Sequence, residues 1–299
     1  MSLLLPFVVP TLLSALTLGC YDITKKKSLA GNAVLPVLFS STACGTLFFL
    51  FLLWGRGELS AAFSCSTKEY ALIWIKSAIV TASWACEFYA LRELPLSLYS
   101  PIRASAPLWT LLGGIFLFSE LPTIQQAFGM ALVLVGYIGF FCFGKQEGFA
   151  PTGRAMVLAS IGTLLGASSA LFDKVVLNLV QIPPDRVQLY FGLDSFILMG
   201  AMVLFIKFTQ KSEEKFCWRW SIPLAGVLMI GADYFYFRAV SLPDAQISLI
   251  SLLRRTNCLV PFVFGATFGH EVHIKRKSIA LVLILGGAAL IALARKIAG

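Results

Sequence analysis

The stretch Ser97–Glu120, SLYSPIRASAPLWTLLGGIFLFSE, returns as Ser248–Glu271, SLISLLRRTNCLVPFVFGATFGHE, and the two copies align without a gap. Ser97, Leu98, Ser100, Arg103, Leu108, Gly114 and Glu120 meet Ser248, Leu249, Ser251, Arg254, Leu259, Gly265 and Glu271. Ordinary residue frequencies would give about two identities over such a length. Each copy sets an arginine on an S-x-x-S-x-x-R ladder, inside a run apolar enough to cross a bilayer. A cation placed there is costly and faces protein or a water-filled cavity. Matched cations in an internal repeat point to a pseudo-symmetric polar site between two halves.

Composition agrees with a membrane setting. The chain has 299 residues, 58% hydrophobic and only 13% charged, with a mean hydropathy of +0.83. A soluble domain carries about twice that charge. The net charge of +9 comes from basic residues scattered among loops. That pattern fits cytoplasmic loop charge and gives poor support to a nucleic-acid surface, which needs one basic patch. Seven cysteines form no C-x-x-C pair and read as small buried hydrophobes, so neither a disulfide frame nor a metal site is expected. His270 and His273 flank Glu271 without an H-E-x-x-H pattern, and no phosphate-binding glycine loop occurs. No cofactor is expected. The first apolar run lacks a basic leader and a cleavage signature, so it reads as a retained helix.

A span takes about 20 apolar residues. Counting gives ten, at roughly 3–21, 33–54, 70–91, 96–118, 124–143, 155–176, 187–208, 221–241, 245–268 and 278–294. KQEGFAPTGR, Lys145–Arg154, is the polar break near the middle. The repeat extends beyond the opening stretch: Tyr21-Asp22 pairs with Phe172-Asp173, Pro95 with Pro243, and ALVLVG at Ala131 with ALVLILG at Ala280. The expected fold is an all-α polytopic membrane protein of ten transmembrane helices in two inverted five-helix repeats. Residues 1–144 hold the first, 145–154 the linker and 155–299 the second. Five is odd, so the second copy enters the bilayer from the opposite side. With the N-terminus outside, the inner loops collect Lys25, Lys26, Lys27, Arg92, Lys145 and Arg154, then Lys207 to Arg219 and Lys275 to Lys277. The positive-inside rule therefore favours both termini outside.

The candidate binding residues follow from this frame. Arg103 with Ser100 on the fourth span, and Arg254, Arg255, Ser251 and Asn257 on the ninth, offer planar donors to a carboxylate or phosphate. The alternative for each arginine is an internal ion pair with Asp22, Asp173, Glu87 or Asp233. Glu87, Asp194 and Asp233 lie inside apolar runs and are the candidates for a coupling proton. Trp84, Tyr89 and Tyr234 stand beside those acids and could line a substrate path or serve as packing. Glu120 and Glu271 read as structural, ordering the turn into the next helix. Asp22 and Asp173 read as helix-end acids near headgroups. Lys76 and Lys174 are cavity cations or snorkelling side chains. GTLLG, Gly162–Gly166, reads as a close helix contact.

FYALRELPLSLYSPIRASAPLWTLLGGIFLFSELPTIQQAFGMALVLVGY resembles the EamA domain of the drug/metabolite transporter superfamily, and YFYFRAVSLP begins a second version of it. The resemblance implies a ten-helix, two-repeat carrier working by alternating access, with the third, fourth, eighth and ninth spans bordering the cavity. It also implies both termini inside, against the loop charges. The expected protein is not an enzyme. It is a secondary-active carrier of a small metabolite, an amino acid or another organic anion, with export favoured. Its alternatives are an importer or exchanger of a nucleotide-linked metabolite or cofactor, and a non-transporting membrane scaffold. The implied partners are a small-molecule substrate, the lipid bilayer and a coupling proton or counter-substrate, in a monomer or homodimer. The implied place is a bacterial inner membrane.

Overall fold

The computed structural model describes residues 6–93, 102–103, 105–142, 153–209, 215–243, 245–267 and 274–293. Among these the chain is helical, with no strand. The helices are α1 (Val8–Leu29), α2 (Val34–Gly55), a short α3 (Leu59–Phe63) and α4 (Thr67–Glu93). Then come α5 (Ala106–Phe118), α6 (Ile124–Cys142), α7 (Gly153–Lys174) and α8 (Pro184–Thr209). α9 (Ser221–Val240), α10 (Ile247–Leu253), α11 (Leu259–Thr267) and α12 (Ile274–Leu293) complete the order. Every expected span has a helix. The short α3 has no counterpart among the expected spans.

Length and apolarity together qualify four of these as membrane spans: Val34–Gly55, Gly153–Leu179, Pro184–Thr209 and Ile247–Phe264. α5, and the apolar parts of α6 and α12, are shorter apolar helices. The outward surface suits hydrocarbon, since side chains such as Phe116, Ile124 and Phe208 are exposed.

The helix pairings follow a pattern. α1 packs on α9, and α4 on α7; α2 packs on α9, and α4 on α8. α5 touches α7, while α1 touches the segment around Arg254. Exchanging each helix of one half for its partner in the other turns each of these contacts into another of the set. α6 lies along α12, its own counterpart. Their backbones meet there: a β-carbon on Gly287 would stand 2.5 Å from the Gly129 carbonyl oxygen.

The expected ninth span, 245–268, is not one regular helix. α10 passes into a 3₁₀ segment, Arg254–Cys258, before α11 begins. Pro261 supplies the reason. It has no N–H for the Asn257 carbonyl and its ring crowds that group. The freed carbonyl lies against α1, where a β-carbon on Gly19 would be 2.6 Å from it. The expected fourth span, 96–118, is seen as residues 102–103 and then α5, with Pro107 tolerated in its first turn. Ser97, Ser100 and Glu271 lie outside the described residues, as does most of the linker, whose last two residues already begin α7.

α7 does not stop at the expected 176. It continues through a π-helical turn, Val175–Leu179, so Asp173 sits deeper than a helix-end acid. It is 4% exposed. The core gathers around this region, with Val176, Leu177, Phe191, Phe237, Ile250 and Leu253 among its buried side chains.

Candidate functional site

A cavity of about 230 Å³ opens where α4, α7, α9 and α10 converge, with α1, α5 and α8 adding single walls. α2, α6 and α12 contribute no described lining residue. The expectation that the third, fourth, eighth and ninth spans border the cavity agrees with this, and the sixth, α7, joins them.

Three ion pairs cross the cavity wall. Lys76 on α4 meets Asp173 on α7 at 3.1 Å. The Lys76 ammonium also lies 3.6 Å from the Phe191 ring centre and 4.8 Å from that of Phe237. Arg103 pairs with Glu87 on α4. Arg254 donates to Asp233 on α9 at 3.0 Å and to Ser14 on α1 at 3.1 Å, and stacks over Tyr236. Tyr236 donates to Asp173 at 3.2 Å, joining two of the pairs. Each arginine of the repeat is therefore held by an acid on the helix before it. The internal-pair reading of Arg103 and Arg254 is the one observed, with Glu87 and Asp233 as partners.

Arg255 differs. It lines the same cavity, makes no ion pair among the described residues, and its buried Nε has no hydrogen-bond partner. Its guanidinium lies 5.9 Å from the Tyr137 ring centre. Its counterpart in the first copy is Ala104, so the sequence repeat breaks at this position. An arginine left with a donor unpaired beside a cavity is a fork waiting for a carboxylate or phosphate.

Of the other expected site residues, Trp84, Glu87, Asp233 and Ser251 line the cavity. Tyr89, Tyr234, Asn257 and Asp194 do not. Tyr234 is turned to the protein's edge, where Arg56 donates to its hydroxyl at 3.2 Å and Arg238 stacks on its ring. Its neighbours Asp233 and Tyr236 point inward, because adjacent helical residues lie 100° apart. Asn257 donates to Asp22 at 2.8 Å and so ties the 3₁₀ segment to α1. Asp194 faces Ser77 and Tyr70 on α4.

Ser83, Thr110, Thr163 and Phe191 line the cavity and were not singled out in the sequence. Ser83 was legible: it lies four residues before Glu87 and seven after Lys76, on one helical face. Thr163 sits within the GTLLG stretch. Gly162 there is a close contact as expected, accepting from Ser83 Oγ at 2.7 Å through its carbonyl, while Gly166 lines the cavity itself.

Glu120 closes one end of the assembly. Its carboxylate accepts from the backbone N–H groups of Ile247 and Ser248 and from Ser248 Oγ, and it pairs with Lys174. Lys174 also donates to the Ala245 carbonyl at 3.1 Å. Glu120 was expected to order the turn into the next helix. Instead it caps α10, in the other half of the chain, because the N–H groups at a helix start and the helix dipole both favour an anion.

Residues 6–142 match the model of the EamA-like transporter family. Over that stretch the chain is similar to the EamA-like family, which belongs to the drug/metabolite transporter superfamily, as the sequence resemblance implied. One solved structure, described only as the crystal structure of a protein, superposes with a TM-score of 0.76 at 17% identity. The match covers 95% of this chain and 97% of that one, and it shows a shared fold. No curated protein matches by sequence. This similarity and the apolar helices together support an integral, multi-pass membrane protein.

Proposed function

We propose that the chain is a secondary-active carrier of a small organic anion, an amino acid or a similar metabolite, and that Arg255 receives its carboxylate or phosphate. The carrying observation is the charge in the cavity: Lys76, Arg103 and Arg254 each hold an acid, and Arg255 holds none among the described residues. The walls supply apolar surface from Trp84, Val80 and Phe237, and hydroxyls from Ser83, Thr110 and Ser251. The volume of about 230 Å³ lies below the usual range of about 300–1,000 Å³ for drug-sized ligands. It favours a small metabolite over a nucleotide-linked one.

Alternating access by two inverted repeats, residues 1–144 and 155–299, is the mechanism proposed. The paired helix contacts and the matched Arg–acid pairs support it. Export across a bacterial inner membrane is the favoured direction.

The test is thermal stabilisation of the purified protein by a panel of small carboxylates and phosphates, beside an Arg255→Ala variant. A ligand bound only by the native state adds about 2.7 kcal/mol at a hundredfold excess over its dissociation constant. Stabilisation of the parent and not of the variant is expected. Equal stabilisation of both by uncharged or cationic compounds would sink the proposal.

A further inference from the structure

Five carboxylates on the long helices or at their ends are buried: Glu87, Glu120, Asp173, Asp194 and Asp233. Four of them hold a cation: Glu87 has Arg103, Glu120 has Lys174, Asp173 has Lys76 and Asp233 has Arg254. Asp194, in α8 and 4% exposed, has none among the described residues. Asp22 is half-buried and lies one helical turn from Lys25. Asp194 is met instead by hydroxyls. Ser77 Oγ lies 3.1 Å from one oxygen, sharing its single proton with the Ile73 carbonyl at 2.9 Å, and Tyr70 OH donates to the other at 3.3 Å.

Among the described residues the surroundings offer no free counter-charge. α2, α3 and the π-helical turn carry no charged side chain. From α4, Lys76 is engaged by Asp173, and Glu69 by Arg186. From α9, Tyr234 is held by Arg56 and Arg238, while Asp233 is paired with Arg254. On α8 itself Tyr190 donates to the Phe63 carbonyl, away from the carboxylate. Two further hydroxyls lie buried without a hydrogen-bond partner nearby in sequence: Ser195, the next residue, and Thr81, one turn beyond Ser77 on α4.

A lone carboxylate in a bilayer-spanning helix is costly unless something positive joins it. Two hydroxyl donors suit a small visitor that adds no bulk. We infer that Asp194, with Ser77 and Tyr70, is a proton-binding site of this protein, separate from the anion site at Arg255. Bound, the proton sits on a carboxyl oxygen. Released, the carboxylate keeps the hydrogen bonds from Ser77 and Tyr70. The inference rests on the transporter reading for its use, as the coupling site of that cycle, but not for the binding itself.

The test therefore needs no substrate. Protein carrying aspartate labelled with carbon-13 at its side-chain carboxyl is reconstituted in liposomes, and infrared difference spectra are taken between acidic and alkaline buffer. The expected result is an isotope-shifted carbonyl band of a neutral aspartic acid that titrates. It should be lost in Asp194→Asn and kept in the paired variants Lys76→Met/Asp173→Asn and Arg254→Ala/Asp233→Asn. Should Asp194→Asn not fold, Ser77→Ala and Tyr70→Phe, each removing one hydrogen bond, should shift the midpoint of the same band. A band unchanged in Asp194→Asn, or unmoved by both hydroxyl variants, overturns the proposal. So does a protein with no titrating aspartic acid whose thermal stability rises with sodium over potassium chloride. Failure here leaves the anion reading standing, and failure of Arg255→Ala to lose anion binding leaves the band untouched.

Discussion

Lys76 and Asp173 meet at 3.1 Å with side chains only 2% and 6% exposed, one before the central break and the other beyond it. The two halves are joined by this pair in a place where water is scarce. Neither charge can be removed alone without leaving the other buried and unpaired, and breaking such a pair costs about 3–5 kcal/mol. Lys76→Met alone is expected to lower the unfolding temperature sharply in detergent. Adding Asp173→Asn should recover most of the loss. A double variant no more stable than the single one would show that the pair is not what holds these helices.

Arg254 and Arg255 are neighbours in sequence with opposite expected phenotypes. Arg254→Ala strands Asp233, which is 6% exposed, so it should destabilise by about 3–5 kcal/mol, relieved by Asp233→Asn. Arg255→Ala strands no acid among the described residues and should leave the melting temperature nearly unchanged while abolishing stabilisation by anions. Paired melting curves with and without ligand separate the two roles. Loss of anion stabilisation in Arg254→Ala/Asp233→Asn and not in Arg255→Ala would reverse the assignment.

Glu120→Gln keeps the shape of the cap and removes its charge. Hydrogen bonds to a charged group contribute about 1.5–3 kcal/mol, and a factor of ten takes about 1.4. Amide exchange at Ile247 and Ser248 should therefore quicken about tenfold or more, with little change in α2. Unaltered exchange at those two amides would mean that α10 is capped by something else.

Pro261→Ala restores an N–H opposite the Asn257 carbonyl. The 3₁₀ segment Arg254–Cys258 should tighten toward regular α-helix, drawing Asn257 from Asp22. The expected outcome is slower amide exchange across 257–262 together with weaker anion stabilisation, since Arg255 turns with the segment. Stronger anion binding in this variant would show that the irregular turn does not set the arginine's position.

Much of the architecture was legible because its signals are local. Apolar runs marked where helices stand, and the S-x-x-S-x-x-R ladder marked two of the helices that meet at the cavity. Ser251 follows from lying on the same face as Arg254, and Glu87, Trp84 and Asp233 from standing in the apolar run just before each arginine's own helix. What sequence could not supply was the partner of each charge. Whether Arg254 binds Asp233 or a ligand depends on helix rotation by tens of degrees, which periodicity leaves loose when most positions are apolar. Tyr234 and Asp233 differ by one residue and face opposite ways for this reason. The depth of Asp173 was missed because a π-helical turn adds a residue to the helix without any proline or glycine to announce it. The irregular turn at Arg254 did carry a signal, Pro261, but within a strongly apolar run it reads equally as a tolerated kink.

The seam between α6 and α12 has a mechanical consequence. Gly129 and Gly287 put backbone against backbone, and the Val133 and Ile291 side chains pack around the point of closest approach. A seam so close holds the two helices together as one piece. The seam lies away from the cavity and joins the last helix of each half. Any rocking of one half on the other would turn about such a bearing, and the sweep at the far wall would grow with its distance from the axle.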